Sequence, residues 1–434
     1  MSQTPVQEKL DFKALVAMGV GGMIGGGIFS VLGLSIQQAG HAAPLAFIIG
    51  GAIALLTGLS YARLGLHFQS AGGSFTYLEK AFHSQRFAAI IGWFLLVGYV
   101  GTMALYSYTF GSYGSALLSG GAPNSAAHHL LMSVVLLSFL GINLWGVRAS
   151  GQTESLIVFI KVVILAGFAV IGFIYLDPEK LVPFFDQGLG GILLGAALIF
   201  VAYEGFELIP NAINDMENPE RDLGRSIITA ILITTLVYVT VSVVAVGNLT
   251  PAQIQQYGEY ALAVAAQPIL GKAGFVLIAL AALFSTASAI NATLFGTARL
   301  SYVMARQKEL PPAFTLKSRR NVPWVSLLII TLVTLVFVNV ANLQIIAAFA
   351  SSTFLLLFAL VNAAAFKLRH QIGLFGLWPM LGLVGAAAAW VMLLVDLYHH
   401  QQETLWWLLI FYGVVAGVEL LFSQRRIGAS DKEN

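Results

Sequence analysis

Charge is what this chain has least of. Asp, Glu, Lys and Arg make up 10% of its 434 residues, against about 25% in soluble domains. The apolar set AVILMFWYC makes up 58%. A chain so poor in charge cannot cover itself with water-facing side chains, so most of its surface must face lipid. That excludes the two or three soluble domains its length would otherwise allow and points to an integral membrane protein. Cysteine is absent, which excludes disulfides, thiolate metal sites and a cysteine nucleophile. Catalytic signatures are missing as well. None of the eight histidines forms HExxH, and the glycine cluster at 19–27 neither spells a Walker A loop nor follows a strand. The basic residues are scattered through short loops, with no nucleic-acid signature. The sequence therefore predicts neither enzyme activity nor a cofactor, metal or nucleic-acid partner.

What is present in abundance is long apolar runs. A bilayer core of about 30 Å takes roughly 20 residues of helix. Runs of that length predict twelve spans: 12–39, 43–66, 87–117, 126–147, 153–176, 188–213, 225–247, 271–305, 323–341, 343–367, 373–397 and 404–423. Residues 1–11 and 424–434 read as cytoplasmic ends, and with no cleavable signal pattern the first span is expected to stay in the mature protein. Residues 248–270 read as an external loop with a short surface helix. SAGGSFTYLEK, 70–80, reads as a bent cytoplasmic segment, and MENPERDLGR, 216–225, as a helix stop in a solvated loop. Nineteen of the 22 Lys and Arg then fall on one side, the exceptions being Lys161, Lys180 and Lys272. By the positive-inside rule that side is the cytoplasm, and an even number of spans puts both termini there.

Two spans carry signs of interruption. Gly19, Gly21, Gly22, Gly25, Gly26 and Gly27 place six glycines in nine positions of the first span, each costing about 1 kcal/mol in a helix interior relative to Ala. Irregular backbone at membrane depth is tolerated only where protein buries it or a watery cavity receives it. The sixth span carries Tyr203-Glu204-Gly205-Phe206-Glu207 with Pro210 close behind, and carboxylates so deep mark a functional site by default. Breaks five spans apart suggest a five-plus-five inverted repeat, 12–176 and 188–367, with 373–423 appended.

The motifs GVGGMIGGGIF (19–29), SAGGSFTYLEKAF (70–82), FVAYEGFELIPNAINDMENPERDLGRSI (200–227), FSTASAINATLFGTARLSYVMARQKELPPAF (284–314) and VPWVS (322–326) resemble, in that order, the amino acid–polyamine–organocation transporters, and most of all their proton-coupled amino-acid transporters. The resemblance implies an all-α LeuT-type fold with helices 1 and 6 broken, and a substrate site between the breaks. It implies that the N–H groups of Ile24, Gly25, Gly26 and Gly27 hold the α-carboxylate, as a helix N-terminus suits an anion. Carbonyls near Val20, Gly21, Val201 and Tyr203 would take the α-amino group, and Phe206 would close over the substrate.

Lys161 lies eight residues inside the nearer end of the fifth span, about 12 Å from the interface at 1.5 Å per residue. Its stem, about 6 Å, is too short to snorkel that far, so the ammonium finds an internal partner or loses its proton. The resemblance matches it to a lysine of the proton-coupled members, facing the Gly21 carbonyl and the hydroxyls of Ser285 and Ser288. Glu207 falls where many relatives carry an acid. Glu204 is less typical, and its readings stay open between a pocket carboxylate for a cationic substrate, a gating or proton-transfer role, and a structural hydrogen bond. Tyr99, Tyr106, Tyr108, Ser351 and Ser352 are further candidates for the route. The leading function is amino-acid uptake by proton symport with alternating access at the plasma or inner membrane. The alternatives are amino-acid or polyamine exchange without ion coupling and a sensor that does not transport.

Overall fold

The computed structural model describes residues 9–70, 72–120, 124–146, 151–318, 320 and 322–430. Arg148, Arg319 and Lys432, three of the residues that set the expected orientation, lie outside the described residues, as do 1–8 and 431–434 of the expected termini. The described chain is helical, with a single isolated β-bridge, Leu10 to Met216. In chain order the helices are α1 Phe12–Met23, α2 Gly27–Ala39, α3 Ala43–Phe68, α4 Gly73–Phe82, α5 Gln85–Leu118, α6 Ser125–Trp145, α7 Gly151–Ile174, α8 Gly188–Leu198, α9 Leu208–Asn211, α10 Pro219–Asn248, α11 Pro251–Tyr257, α12 Ala261–Ala265, α13 Gln267–Arg306, α14 Trp324–Val340, α15 Leu343–Lys367, α16 Leu377–His400 and α17 Gln402–Ser430.

Among the described residues nine helical stretches are long and apolar enough to cross a membrane, and Phe12–Met23 and Trp324–Val340 are shorter apolar helices. This is a multi-pass membrane protein, but length and composition alone do not reproduce the expected twelve. The first expected span is cut in two by its break. Its second half, α2, is separated from α3 only by the 3-10 turn Gly40–Ala42, so the two make one stretch, Gly27–Phe68.

Local chemistry explains where the helices start and stop. Asp11 caps α1 by accepting from the Ala14 N–H at 2.8 Å, and Thr250 with Gln253 forms a capping box on α11. The expected helix stop at 216–225 is instead a helix start. Pro219 occupies the first turn of α10, where its missing N–H costs nothing, and Asp222 is buried. The 248–270 connection carries the expected short surface helix, α11, with Ala252, Gln255 and Gln256 exposed. Its second half departs from expectation: Tyr260 and the whole of α12 are buried, so this part plugs the bundle. At the chain's end α17 continues past 423 to Ser430.

Both interruptions are present, in different forms. The first span stops at Met23 and restarts at Gly27. The sixth leaves α8 at Leu198 and winds as a nine-residue 3-10 helix, Ile199–Glu207. Runs of that geometry beyond about four residues are uncommon and often mark a hinge. The two breaks touch backbone to backbone: a Cβ at Gly22 would lie 3.0 Å from the Gly205 carbonyl, and one at Gly205 would overlap the backbone of Gly22 and Met23.

This contact predicts that Gly205→Ala lowers stability by about 1–3 kcal/mol, as overpacking of a filled core does. Gly190→Ala on α8, where an added Cβ meets nothing within 4 Å, serves as the control. Thermal unfolding of the purified protein in detergent checks the pair. Equal melting temperatures for both variants would show that the breaks do not need this close approach.

Candidate functional site

A helix that ends inside a protein leaves its last carbonyls without partners. At the end of α1 side chains from three other helices supply them. Lys161 of α7, 3% exposed, donates from Nζ to the Gly21 carbonyl at 3.0 Å. Tyr238 of α10 donates from its hydroxyl toward the Met23 carbonyl at 2.6 Å and lies 3.0 Å from the Ala202 carbonyl of the sixth-span break. Ser285 of α13 donates to the Ile24 carbonyl at 2.7 Å. Lysine suits this place, because a helix C-terminus carries a partial negative charge. On the other break, Ser351 of α15 donates to the Leu198 carbonyl at 2.6 Å and accepts from the Val201 N–H at 3.1 Å. Tyr203 donates to the Phe47 carbonyl at 2.7 Å.

A cavity of about 490 Å³ starts at the contact between the breaks, where Gly21, Gly22, Glu204 and Gly205 line it, and runs toward the end of the bundle formed by Gly72–Thr76, Asn211, Asp215 and Gln307. Tyr99, Tyr106 and Ser288 also line it. The Tyr106 ring lies against Gly26 so closely that a Cβ there would overlap it. It stands at the start of α2, whose cap residue Gly26 offers no side-chain hydrogen bond to the first turn.

Two carboxylates face this space with different support. Glu207, 2% exposed, accepts from Tyr99 at Oε1, 2.6 Å, and from Tyr61 at Oε2, 3.1 Å. Tyr61 is also 2.7 Å from the Ser74 hydroxyl. Glu204 accepts from Thr102 at Oε2, 2.8 Å. Neither takes part in an ion pair among the described residues.

At the opposite end the bundle is shut. Glu259, in the turn between α11 and α12, accepts from Tyr108 at 2.7 Å and from Ser112 at 3.1 Å, both on α5. His128 of α6 stacks edge-on against Tyr108, ring centroids 4.5 Å apart, and lies 3.3 Å from the Ser112 hydroxyl. The Gly258 backbone packs onto Gly33 of α2, and Tyr113 donates to the Phe29 carbonyl at 3.2 Å.

The structure therefore sorts the residues singled out by sequence. Lys161, Gly21 and Ser285 meet at the end of α1, while Ser288 is on the cavity wall. Gly21, Glu204, Glu207, Tyr99 and Tyr106 line the cavity. Ile24, Gly25, Gly26, Val201 and Tyr203 sit in the breaks, Val20 in the last turn of α1 and Gly27 at the start of α2, and none of them lines it. Phe206 turns away from it, its ring packed against Tyr61 and Phe358 at 5.5 and 5.2 Å. Tyr108 belongs to the closed end. Ser352 accepts from Trp390 at 3.0 Å, away from the route. Sequence reasoning passed over Tyr61, Thr102, Tyr238, His128 and Glu259. Each is a polar residue whose partner lies on a different helix, so spacing within its own segment carried no sign of it.

Comparison with known proteins agrees with this architecture. The amino acid permease family model matches residues 10–418, and the chain belongs to that family. It is 34% identical over 371 residues to an uncharacterized protein of Methanocaldococcus jannaschii, covering 84% of each chain. To the inner membrane transport protein YbaT of Escherichia coli K12 it is 31% identical over 365 residues, covering 82% of this chain and 83% of that one. In fold it is similar to the crystal structure of an Eremococcus coleocola manganese transporter, with a TM-score of 0.63 at 14% identity and 97% of each chain covered. The protein is thus an all-α, LeuT-type amino acid transporter of the amino acid–polyamine–organocation class, and not an enzyme.

Replacing Tyr99 by Phe removes the shorter of the two hydrogen bonds to Glu207. Bonds to charged groups are worth about 1.5–3 kcal/mol, so Tyr99→Phe is expected to lower the melting temperature, and Tyr61→Phe, which also gives up the Ser74 contact, to lower it as well. An unchanged melt for Tyr99→Phe would mean that the Glu207 carboxylate does not depend on this donor.

Proposed function

We propose that this permease takes up amino acids by proton symport with alternating access, and that Lys161 is the coupling group. The observation that carries the reading is the 3.0 Å bond from the Lys161 ammonium to the Gly21 carbonyl. That carbonyl belongs to the last turn of α1, immediately before the break. A protonated lysine holds this helix end through a charge-assisted bond and through the helix dipole. A neutral amine holds it far less, so gain and loss of one proton bias the position of α1 against α7. The hydroxyl of Ser285 on the neighbouring Ile24 carbonyl extends the same latch to α13, and Ser288 one turn on faces the cavity.

The substrate lies between the breaks in this reading. The N–H groups of Gly25, Gly26 and Gly27 bind the α-carboxylate at the start of α2; that of Ile24, expected with them, donates instead to the Val20 carbonyl at 2.8 Å. Carbonyls near Val20, Gly21, Val201 and Tyr203 bind the α-amino group, and Tyr106 takes the closing role that the sequence suggested for Phe206. The cavity reaches the end of the bundle rich in Lys and Arg while the Glu259 end is shut, which corresponds to an inward-facing state with both termini cytoplasmic. The resemblance to an inner-membrane transport protein of Escherichia coli supports the cell membrane as its place.

In proteoliposomes, wild-type protein is expected to accumulate amino acid against its gradient when a proton gradient is imposed. Lys161→Ala is expected to reach equilibration only, with uptake independent of pH. Concentrative, pH-dependent uptake by Lys161→Ala would remove the lysine from the mechanism. Counterflow by wild type, combined with no response to a proton gradient, would favour exchange over symport.

A further inference from the structure

Glu207 and Glu204 stand one helical turn apart in the sixth-span break, yet only one of them is finished by the protein. Both Glu207 oxygens receive tyrosine hydroxyls. Glu204 is 5% exposed, and its Oε2 accepts from Thr102. No described residue donates to its Oε1, which is not among the buried atoms lacking a partner and so opens onto the cavity that the residue lines. A carboxylate withdrawn from water without a counter-charge is costly, and pairing is the usual remedy. Among the described residues no Lys, Arg or His forms an ion pair with it.

We infer that Glu204 selects the substrate's side chain, and that the cavity takes amino acids carrying a cationic side chain, of the lysine, ornithine or arginine kind. The inference rests on the transport reading above and names its substrate class. A cationic end supplies what the site lacks: a donor for Oε1 and a positive charge for the pair of carboxylates. A neutral polar side chain would satisfy the donor and leave the charge. A divalent metal ion would need several oxygen ligands from the protein, and the tyrosine hydroxyls already occupy those of Glu207. The wall opposite is mild. Ser288, Thr293 and Thr297 of α13 face the same space and can accept the remaining protons of an ammonium or guanidinium group. The cavity, about 490 Å³, is within the common range for small-molecule sites, about 300–1,000 Å³.

The test is uptake of labelled lysine, arginine, leucine and alanine by the full chain in proteoliposomes, wild type beside Glu204→Gln. Wild type is expected to move lysine and arginine, and Glu204→Gln to lose at least about tenfold in their uptake while melting at a temperature close to wild type. A thermal shift of the wild-type protein gives an independent reading that needs no variant to fold. Lysine or arginine should raise its melting temperature by mass action and leucine should not. Transport or stabilisation by leucine and alanine alone overturns the inference and leaves the transport reading intact. Lysine uptake by Glu204→Gln equal to wild type also overturns it. If wild type moves no amino acid at all, the transport reading itself has failed.

Discussion

Backbone cannot be left unpaired at membrane depth, and nearly every feature of this site follows from how the chain meets that demand at two helix breaks. Gly22 and Gly205 have no side chains, so the breaks press together. The carbonyls freed at the end of α1 are then taken by Lys161, Tyr238 and Ser285, and the Leu198 carbonyl at the end of α8 by Ser351. The caps come from α7, α10, α13 and α15. Each of those helices is therefore attached to a break by a hydrogen bond, and a change in any one cap is felt by the segment it holds.

The same economy separates the two ends of the molecule. On one side the polar groups of Ser74, Asn211 and Asp215 line open space. On the other, Glu259 reaches across to Tyr108 and Ser112, and Gly258 sits on Gly33. The closed end is held both by these hydrogen bonds and by a buried apolar plug, Tyr260 and α12, with Tyr260 packed edge-on against Tyr113 and Phe275. Opening that end gives up the hydrogen bonds and the apolar burial together. The Gly22–Gly205 contact between the two ends is backbone against backbone.

Much of this was legible in the sequence because glycine and charge are scarce commodities inside a membrane helix. The glycine cluster at 19–27 located the first break, and Lys161 stood out as a cation too deep to snorkel; its contact with Gly21 was implied by resemblance to a family. What was not legible depends on pairing between distant segments. Tyr61 reads as an ordinary membrane tyrosine, and Tyr99 only as a candidate lining the route, until Glu207 arrives from over a hundred residues away. Resemblance to the family implied a lid at Phe206, but the residue lies inside a nine-residue 3-10 winding with its ring packed against Tyr61 and Phe358. Pro219 looked like a terminator, whereas at the first turn of a helix the same ring is an initiator. In both cases the residue type was right and the direction of the backbone decided its role.

Lys161 and Glu204 acquire their meaning from this geometry together. The lysine binds the end of α1 from outside the cavity, at Gly21, and the glutamate faces the cavity from the segment packed on the next residue, Gly22. A cation entering the cavity would meet Glu204 on one side of that contact while a proton on Lys161 holds the other. Because Gly22 and Gly205 leave no room between them, a shift of α1 into that contact would push on the segment that carries Glu204. Two positive charges, one a proton and one borne by a substrate, would thus act on a single pair of touching helix ends, which is the physical condition for each to influence the binding of the other.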